Sequence, residues 1–131
     1  MSTVSYSIHQ QVGVISINNP PLNHLSHQLR EDIVKQVTKA QSDTSKALVI
    51  ICQGRTFCAG ADIKEFNQPH KSPSLPDLIA TIEASEKPVI AALHGSVLGG
   101  GFELSLSCHY RLSLHSTKVG LPEVNLGLLP G

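Results

Sequence analysis

Two glutamates, Glu103 and Glu123, combine an ionisable group with mainly apolar neighbours along the chain. Glu103 lies between Phe102 and Leu104, just after three consecutive glycines, and Glu123 directly follows Pro122. A partly desolvated carboxylate is suited to proton transfer, and two carboxylates near one site can divide acid and base roles. The alternatives are a glutamate that stabilises a helix start and a glutamate on a surface turn. From these residues alone, the catalytic and the structural interpretation both stay open.

Two segments of similar design could supply backbone donors to the same chemistry. Residues 47–66 and 88–108 each contain an apolar run, then a turn rich in small residues, then a helix start. Small residues allow close approach to the backbone, and unpaired amides at helix starts suit a negative oxygen. If the two turns converge, they predict an oxyanion hole; otherwise each is only a tight turn. Their glycine spacing matches neither a dinucleotide fingerprint nor a P-loop.

The elements that must position these groups follow from the hydrophobic pattern, which alternates strands and helices and predicts an α/β fold. The run at 48–51 is continuous, which is typical of a strand buried on both faces. Residues 67–76 hold three prolines and are predicted to form a surface loop. The predicted strands are 4–8, 12–17, 48–51, 89–93, 110–114 and 117–119. The predicted helices run from Ser26 to Ala40, from Ser74 to Lys87–Pro88, and from 102 to 108.

Composition narrows the classes of function. The formal net charge is zero, so no nucleic-acid or membrane surface is predicted. Three cysteines without paired spacing argue against disulfides and zinc, and the seven histidines form no metal motif. No serine lies in a G-x-S-x-G turn. We therefore expect no metal site, and an intracellular location with no choice among cytoplasm, peroxisome and mitochondrion.

Three segments in order resemble the signatures of the crotonase (enoyl-CoA hydratase/isomerase) superfamily: residues 57–64, 94–103 and 119–131. Asn19–Asn23 also fits the family's opening, so the resemblance spans nearly the whole chain. It is most similar to the hydratase part of bifunctional hydratase/3-hydroxyacyl-CoA dehydrogenases. It implies a spiral of repeated strand-strand-helix units. Residues 1–131 would be the N-terminal part of one such domain, truncated before its C-terminal helices.

The resemblance also implies roles for individual residues. Ala61 and Gly100 would supply the two amides of the oxyanion hole, and Glu103 and Glu123 would be the catalytic glutamates. The predicted CoA contacts are Ala59, Asp62, Ile63, Lys64 and Arg55.

The implied activity is hydration of a 2-enoyl-CoA to a 3-hydroxyacyl-CoA in fatty-acid β-oxidation, with no cofactor beyond the CoA of the substrate. The implied assembly is a trimer-based homo-oligomer, or part of a bifunctional chain at full length. A Δ3,Δ2-enoyl-CoA isomerase and a non-catalytic truncated chain are the alternatives.

Overall fold

The computed structural model describes residues 3–130. These residues contain seven strands, three α-helices and two short 3-10 helices. The strands are β1 (Val4–His9), β2 (Val12–Ile17), β3 (Ala47–Cys52), β4 (Val89–Leu93), β5 (Ser96–Leu98), β6 (Tyr110–Ser113) and β7 (Lys118–Gly120). The helices are α1 (His27–Ala40), α2 (Leu75–Glu83) and α3 (Gly100–Ser107), with 3-10 helices at Ile63–Glu65 and Pro122–Leu126. The predicted α/β class is confirmed.

A five-stranded sheet in the order β1-β2-β3-β4-β6 forms the frame. β1 and β2 form an antiparallel hairpin, and every other neighbouring pair in this sheet is parallel. Parallel strands need crossover connections, and α1, α2 and α3 supply them between successive strands. The parallel pairs therefore place the ends of β3 and β4 at the same edge, where the two glycine-rich turns begin.

A second, two-stranded sheet brings the segments of the two glutamates together. β5 pairs with β7 in parallel, with Val97 opposite Val119 and Leu98 opposite Gly120. Helix α3 begins just after β5, and the 3-10 helix that contains Glu123 begins just after β7. Because the paired strands end side by side, the elements that follow them start close together.

The core lies between the five-stranded sheet and the helices. Alternate residues of the central strands are buried, as Ile15, Ile17, Leu48 and Ile50 illustrate. The buried stripe of α1 consists of Leu29, Ile33, Val37 and Ala40, as the helical spacing predicted. The start of α1 at the predicted cap is also confirmed, because the Ser26 side chain accepts a hydrogen bond from the Leu29 amide.

Three details of the prediction were wrong. β3 is not buried on both faces: Ile51 is 38 % exposed, because the helices that cover this sheet within residues 3–130 pack against the opposite face. α3 begins at Gly100 rather than Phe102, since the glycines form its first turn. α2 ends at Glu83 rather than at Lys87–Pro88, and its first residues, Leu75 and Pro76, belong to the helix rather than to the predicted loop.

The Ser74 cap of α2 is confirmed as a capping box with Asp77. Among residues 3–130, no helix combines the length and apolar character that a membrane crossing requires.

Candidate active site

A cavity of about 800 Å³ opens at the edge of the sheet where the two glycine-rich turns meet. Ala61, Gly100, Glu103 and Glu123 all line it. The rest of its wall comes from α1, from the segment between residues 62 and 76, and from Leu128 and Leu129. The structure thus brings together the four residues predicted to be catalytic, which are separated by up to 62 positions in the chain.

The amides of Ala61 and Gly100 lie close to one another. A Cβ placed on Gly100 would be 3.6 Å from the Ala61 nitrogen. Gly100 is the first residue of α3, so its N–H has no acceptor within the helix. Within residues 3–130, neither amide donates to a backbone or side-chain acceptor outside the regular elements. Two free N–H groups at one cavity are the arrangement that stabilises a developing oxyanion.

Glu123 holds a carboxylate oxygen that is buried and has no protein partner. Its Oε2 makes no hydrogen bond to any group in residues 3–130. Its Oε1 lies only 2.8 Å from the position that a Cβ on Gly99 would take. Glycine at position 99, with φ of +52°, therefore makes room for this carboxylate. Buried carboxylate oxygens normally have partners, so a water or substrate group is the expected occupant here.

Glu103 reaches the same cavity from the first turn of α3. Its backbone N–H donates to the Gly99 carbonyl at 3.0 Å, and its side chain is half-buried. The next residue, Leu104, is fully buried in the core and fixes the rotation of the helix. Glu103 therefore faces the cavity while its neighbour anchors α3.

The comparisons with known proteins agree with this geometry. The family model described as enoyl-CoA hydratase/isomerase matches residues 7–131. The chain belongs to this family. The resemblance predicted from its three segments is thus confirmed.

Two curated relatives show where in longer chains this family segment occurs. The chain is 48 % identical over 124 residues to the peroxisomal bifunctional enzyme of Danio rerio, covering 94 % of this chain and 17 % of that one. It is 41 % identical over 139 residues to the probable enoyl-CoA hydratase of Bacillus subtilis, covering 100 % of this chain and 54 % of that one. The chain thus spans about half of the Bacillus relative and a much smaller share of the Danio rerio protein.

Solved structures show the same fold. The enoyl-CoA hydratase from Thermoplasma volcanium aligns with a TM-score of 0.91 at 28 % identity, over 100 % of this chain and 56 % of that one. An enoyl-CoA hydratase subunit from Geobacillus kaustophilus aligns with a TM-score of 0.89 at 34 % identity, over 98 % of this chain and 52 % of that one. The predicted crotonase-like fold is confirmed.

The residues that the family resemblance assigns to CoA divide into two groups. Asp62 lines the cavity, and its side chain also accepts from the Lys64 amide at 3.0 Å, capping the first 3-10 helix. The other four residues do not line this cavity. Ile63 is 64 % exposed, and Lys64 and Arg55 are exposed as well. Ala59 is half-buried, and its amide donates to the Leu22 carbonyl. Their part in CoA binding stays a prediction.

The sequence analysis missed several polar residues at the cavity, among them His27, Arg30 and Glu65. His27 and Arg30 lie in the first turn of α1, which was interpreted only as an amphipathic packing helix. Arg30 forms an ion pair with Glu65 across 35 positions of the chain, and hydrophobic periodicity carries no signal for such a pair. No group of three or more histidine, cysteine, aspartate or glutamate side chains in residues 3–130 is arranged to hold a metal ion.

Proposed function

We propose that this protein is an enoyl-CoA hydratase of fatty-acid β-oxidation. It would add water across the 2,3 double bond of a 2-enoyl-CoA and release a 3-hydroxyacyl-CoA. The observation that carries the proposal is the meeting of two free amides and two carboxylates at one cavity. The buried, unpartnered Oε2 of Glu123 adds a specific place for a water molecule. Membership of the enoyl-CoA hydratase/isomerase family supports the same reaction class.

The amides of Ala61 and Gly100 would bind the thioester oxygen of the substrate. Addition of a water oxygen at C3 moves electron density toward that carbonyl, so the oxygen becomes negative in the transition state. Donors already aimed at the developing charge need no reorganisation during the reaction. One such donor is typically worth about 3 kcal/mol of the barrier.

The two glutamates would carry out the proton transfers of the reaction. Glu103 orients the water and takes its proton as the C3–O bond forms. Glu123, which carries a proton at the start, holds the same water and delivers that proton to C2. Return of the water's proton from Glu103 to Glu123 then restores both groups, so that in total one O–H bond of water is broken and one C–H bond is made. The half-buried positions of both side chains support this role, because partial desolvation favours proton transfer over hydration of the carboxylate.

Binding of the CoA moiety would use the segment that leads into the cavity. We assign the adenine and pantetheine contacts to the backbone around Ala59, Asp62 and Ile63, and the phosphate contacts to Lys64 and Arg55. The exposure of Ile63, Lys64 and Arg55 supports this assignment, since exposed residues can contact a phosphate-bearing ligand at the surface. CoA is part of the substrate, and the mechanism calls on no additional cofactor.

The assembly and compartment are part of the proposal as well. The chain would act in a trimer-based homo-oligomer or as the hydratase part of a bifunctional chain. The Danio rerio relative named as a peroxisomal bifunctional enzyme favours the second arrangement and a peroxisomal location.

The test is product analysis with two substrates. Purified protein given crotonyl-CoA should remove the absorbance of the conjugated thioester and yield a product heavier by one water. A protein that leaves crotonyl-CoA intact but converts a 3-enoyl-CoA into the conjugated 2-enoyl isomer would be an isomerase instead. No conversion of either substrate would favour the non-catalytic alternative.

A further inference from the structure

We propose that Arg30 is a positioning residue that holds the outer wall of the cavity closed over the bound acyl-CoA. The wall in question is the segment of residues 66–74, here called the wall loop, of which residues 66–71 and Ser74 line the cavity. The proposal rests on the proposed function, because it names the group that keeps the substrate pocket of that enzyme in shape.

Arg30 connects three separate parts of the chain with one side chain. Its Nε donates to the Pro73 carbonyl of the wall loop at 2.8 Å. Its Nη1 donates to the Leu25 carbonyl at 2.8 Å and to Glu65 Oε2 at 3.2 Å. The Arg30 side chain is only 12 % exposed, so these charge-assisted bonds are shielded from competing water. The planar, forked guanidinium is the side chain that can serve acceptors in several directions at once.

Glu65 and His27 complete the attachment. Glu65 Oε1 accepts from the His27 amide at 2.7 Å, which ties the first 3-10 helix to the start of α1. The His27 ring nitrogen Nε2 lies 2.8 Å from the Ser72 carbonyl. The wall loop is therefore fastened to α1 just before its beginning, at Glu65, and again near its end, at Ser72 and Pro73.

Little else holds the wall loop in place. Residues 66–72 are exposed, and Phe66, its largest side chain, is 50 % exposed. Among residues 3–130, the Leu78 amide of α2 donates to the Ser74 carbonyl, and the hydrogen bonds that the loop receives from outside the segment 62–78 come from His27 and Arg30 alone. A loop with so little apolar burial has low local stability, so its closed position depends on these polar contacts.

Because of this attachment, a change at Arg30 should affect substrate binding and the chemical step differently. Leu25, the other backbone partner of Arg30, is fixed independently, because its N–H donates to the Gly60 carbonyl at 2.9 Å beside Ala61. Loss of the Arg30 side chain should therefore free the wall loop while the Ala61 amide stays in place. Substrate binding should weaken, and the chemical step should change little.

The experiment compares the Arg30→Gln variant with Lys35→Gln. Lys35 is a matched control, because it loses one positive charge from the same helix and its partner is Glu31 on the exposed face. Limited trypsin digestion, read by mass at the bond after Lys71, reports opening of the wall loop without any turnover. Cleavage there should be about tenfold faster in Arg30→Gln than in the control, a change expected for the loss of charge-assisted hydrogen bonds. The KM for crotonyl-CoA should rise about tenfold with kcat within about twofold.

Equal cleavage in Arg30→Gln and Lys35→Gln, with matching thermal unfolding, would overturn the proposal, and so would faster cleavage with an unchanged KM. If Arg30→Gln does not fold, Glu65→Gln and Arg30→Lys serve in its place, since each removes part of the attachment. An inactive wild-type protein would contradict the proposed function. In that case faster cleavage in Arg30→Gln would still show that Arg30 holds the wall loop in place.

Discussion

At the scale of single residues, the candidate site depends on the contact between Gly99 and Glu123. The carboxylate occupies the space beside Gly99 that any side chain would need, and its second oxygen has no partner among residues 3–130. A carboxylate placed by the absence of a neighbouring side chain is sensitive to the smallest possible substitution. A displacement of about 1 Å at a reacting group can cost about 100-fold in rate.

We predict that Gly99→Ala will lower crotonyl-CoA hydration about 100-fold, because the new methyl group displaces the Glu123 carboxylate. Gly54→Ala is the matched control: Gly54 also has positive φ, at +84°, but no atom lies within 4 Å of the added Cβ. Both variants carry the backbone strain, which costs of order 1 kcal/mol. Steady-state kinetics should separate them, and equal activity in the two variants would mean that the contact with Glu123 has no catalytic consequence.

The thiols of the three cysteines are buried, and burial makes them unreactive. Burial raises the pKa of Cys58 and of Cys108 to about 12, and it raises the pKa of Cys52 as well. We predict that a disulfide-exchange reagent at pH 8 modifies none of them in the native protein and all of them in denaturant, since the thiolate is the reactive form. Rapid labelling of Cys58 under native conditions would contradict its buried position beside the glycine-rich turn.

At the scale of elements, a polar cluster around Asp43 joins parts of the fold remote from the cavity. Asp43 accepts from the Tyr6 hydroxyl of β1 at 2.6 Å, from the Ser45 amide at 2.8 Å, and from Lys87 just before β4 at 3.0 Å. The cluster thus ties the hairpin to the connections that enter β3 and β4. Hydrogen bonds from Ser45 and Tyr6 hold the pKa of Asp43 well below its usual 3.8.

This cluster predicts a loss of stability in acid. A carboxyl whose pKa is lower in the folded state contributes stability above its unfolded value, near 3.8, and the contribution disappears as pH falls below that value. Asp43→Asn should therefore destabilise the protein at pH 6 and should flatten the decline of stability between pH 5 and 3. Urea titrations at several pH values measure this, with the exposed Glu83→Gln as the charge-matched control. An identical decline in Asp43→Asn and the wild type would contradict the assignment.

At the scale of the whole molecule, the sequence predicted most of the frame and the members of the site, for different physical reasons. The strands and helices of the frame could be predicted because burial in a regular element leaves a pattern in the sequence. Examples are the apolar run at 89–93 and the helical spacing of Leu29, Ile33 and Val37. The four site residues were identified through three family-like segments, and the structure then showed that their elements meet.

Other features depend on contacts that no local pattern encodes. β5 is three residues long and exists as a strand because it pairs with β7, so it was not predicted. The exposure of Ile51 depends on which face of the sheet the helices cover. The Arg30–Glu65 pair depends on the approach of α1 to the first 3-10 helix, which only the assembled fold determines.

The proposed hydration requires the carboxyl group of Glu123 to act on a water at this cavity. The most direct measurement is the rate at which purified wild-type protein, Glu123→Gln and Glu83→Gln remove the absorbance of crotonyl-CoA. Glu83 is exposed on α2 and does not line the cavity, so its variant controls for loss of a charge. We predict wild-type activity for Glu83→Gln and a loss of at least about 100-fold for Glu123→Gln, within the range for a general acid–base group. Wild-type activity in Glu123→Gln would contradict the role proposed for Glu123.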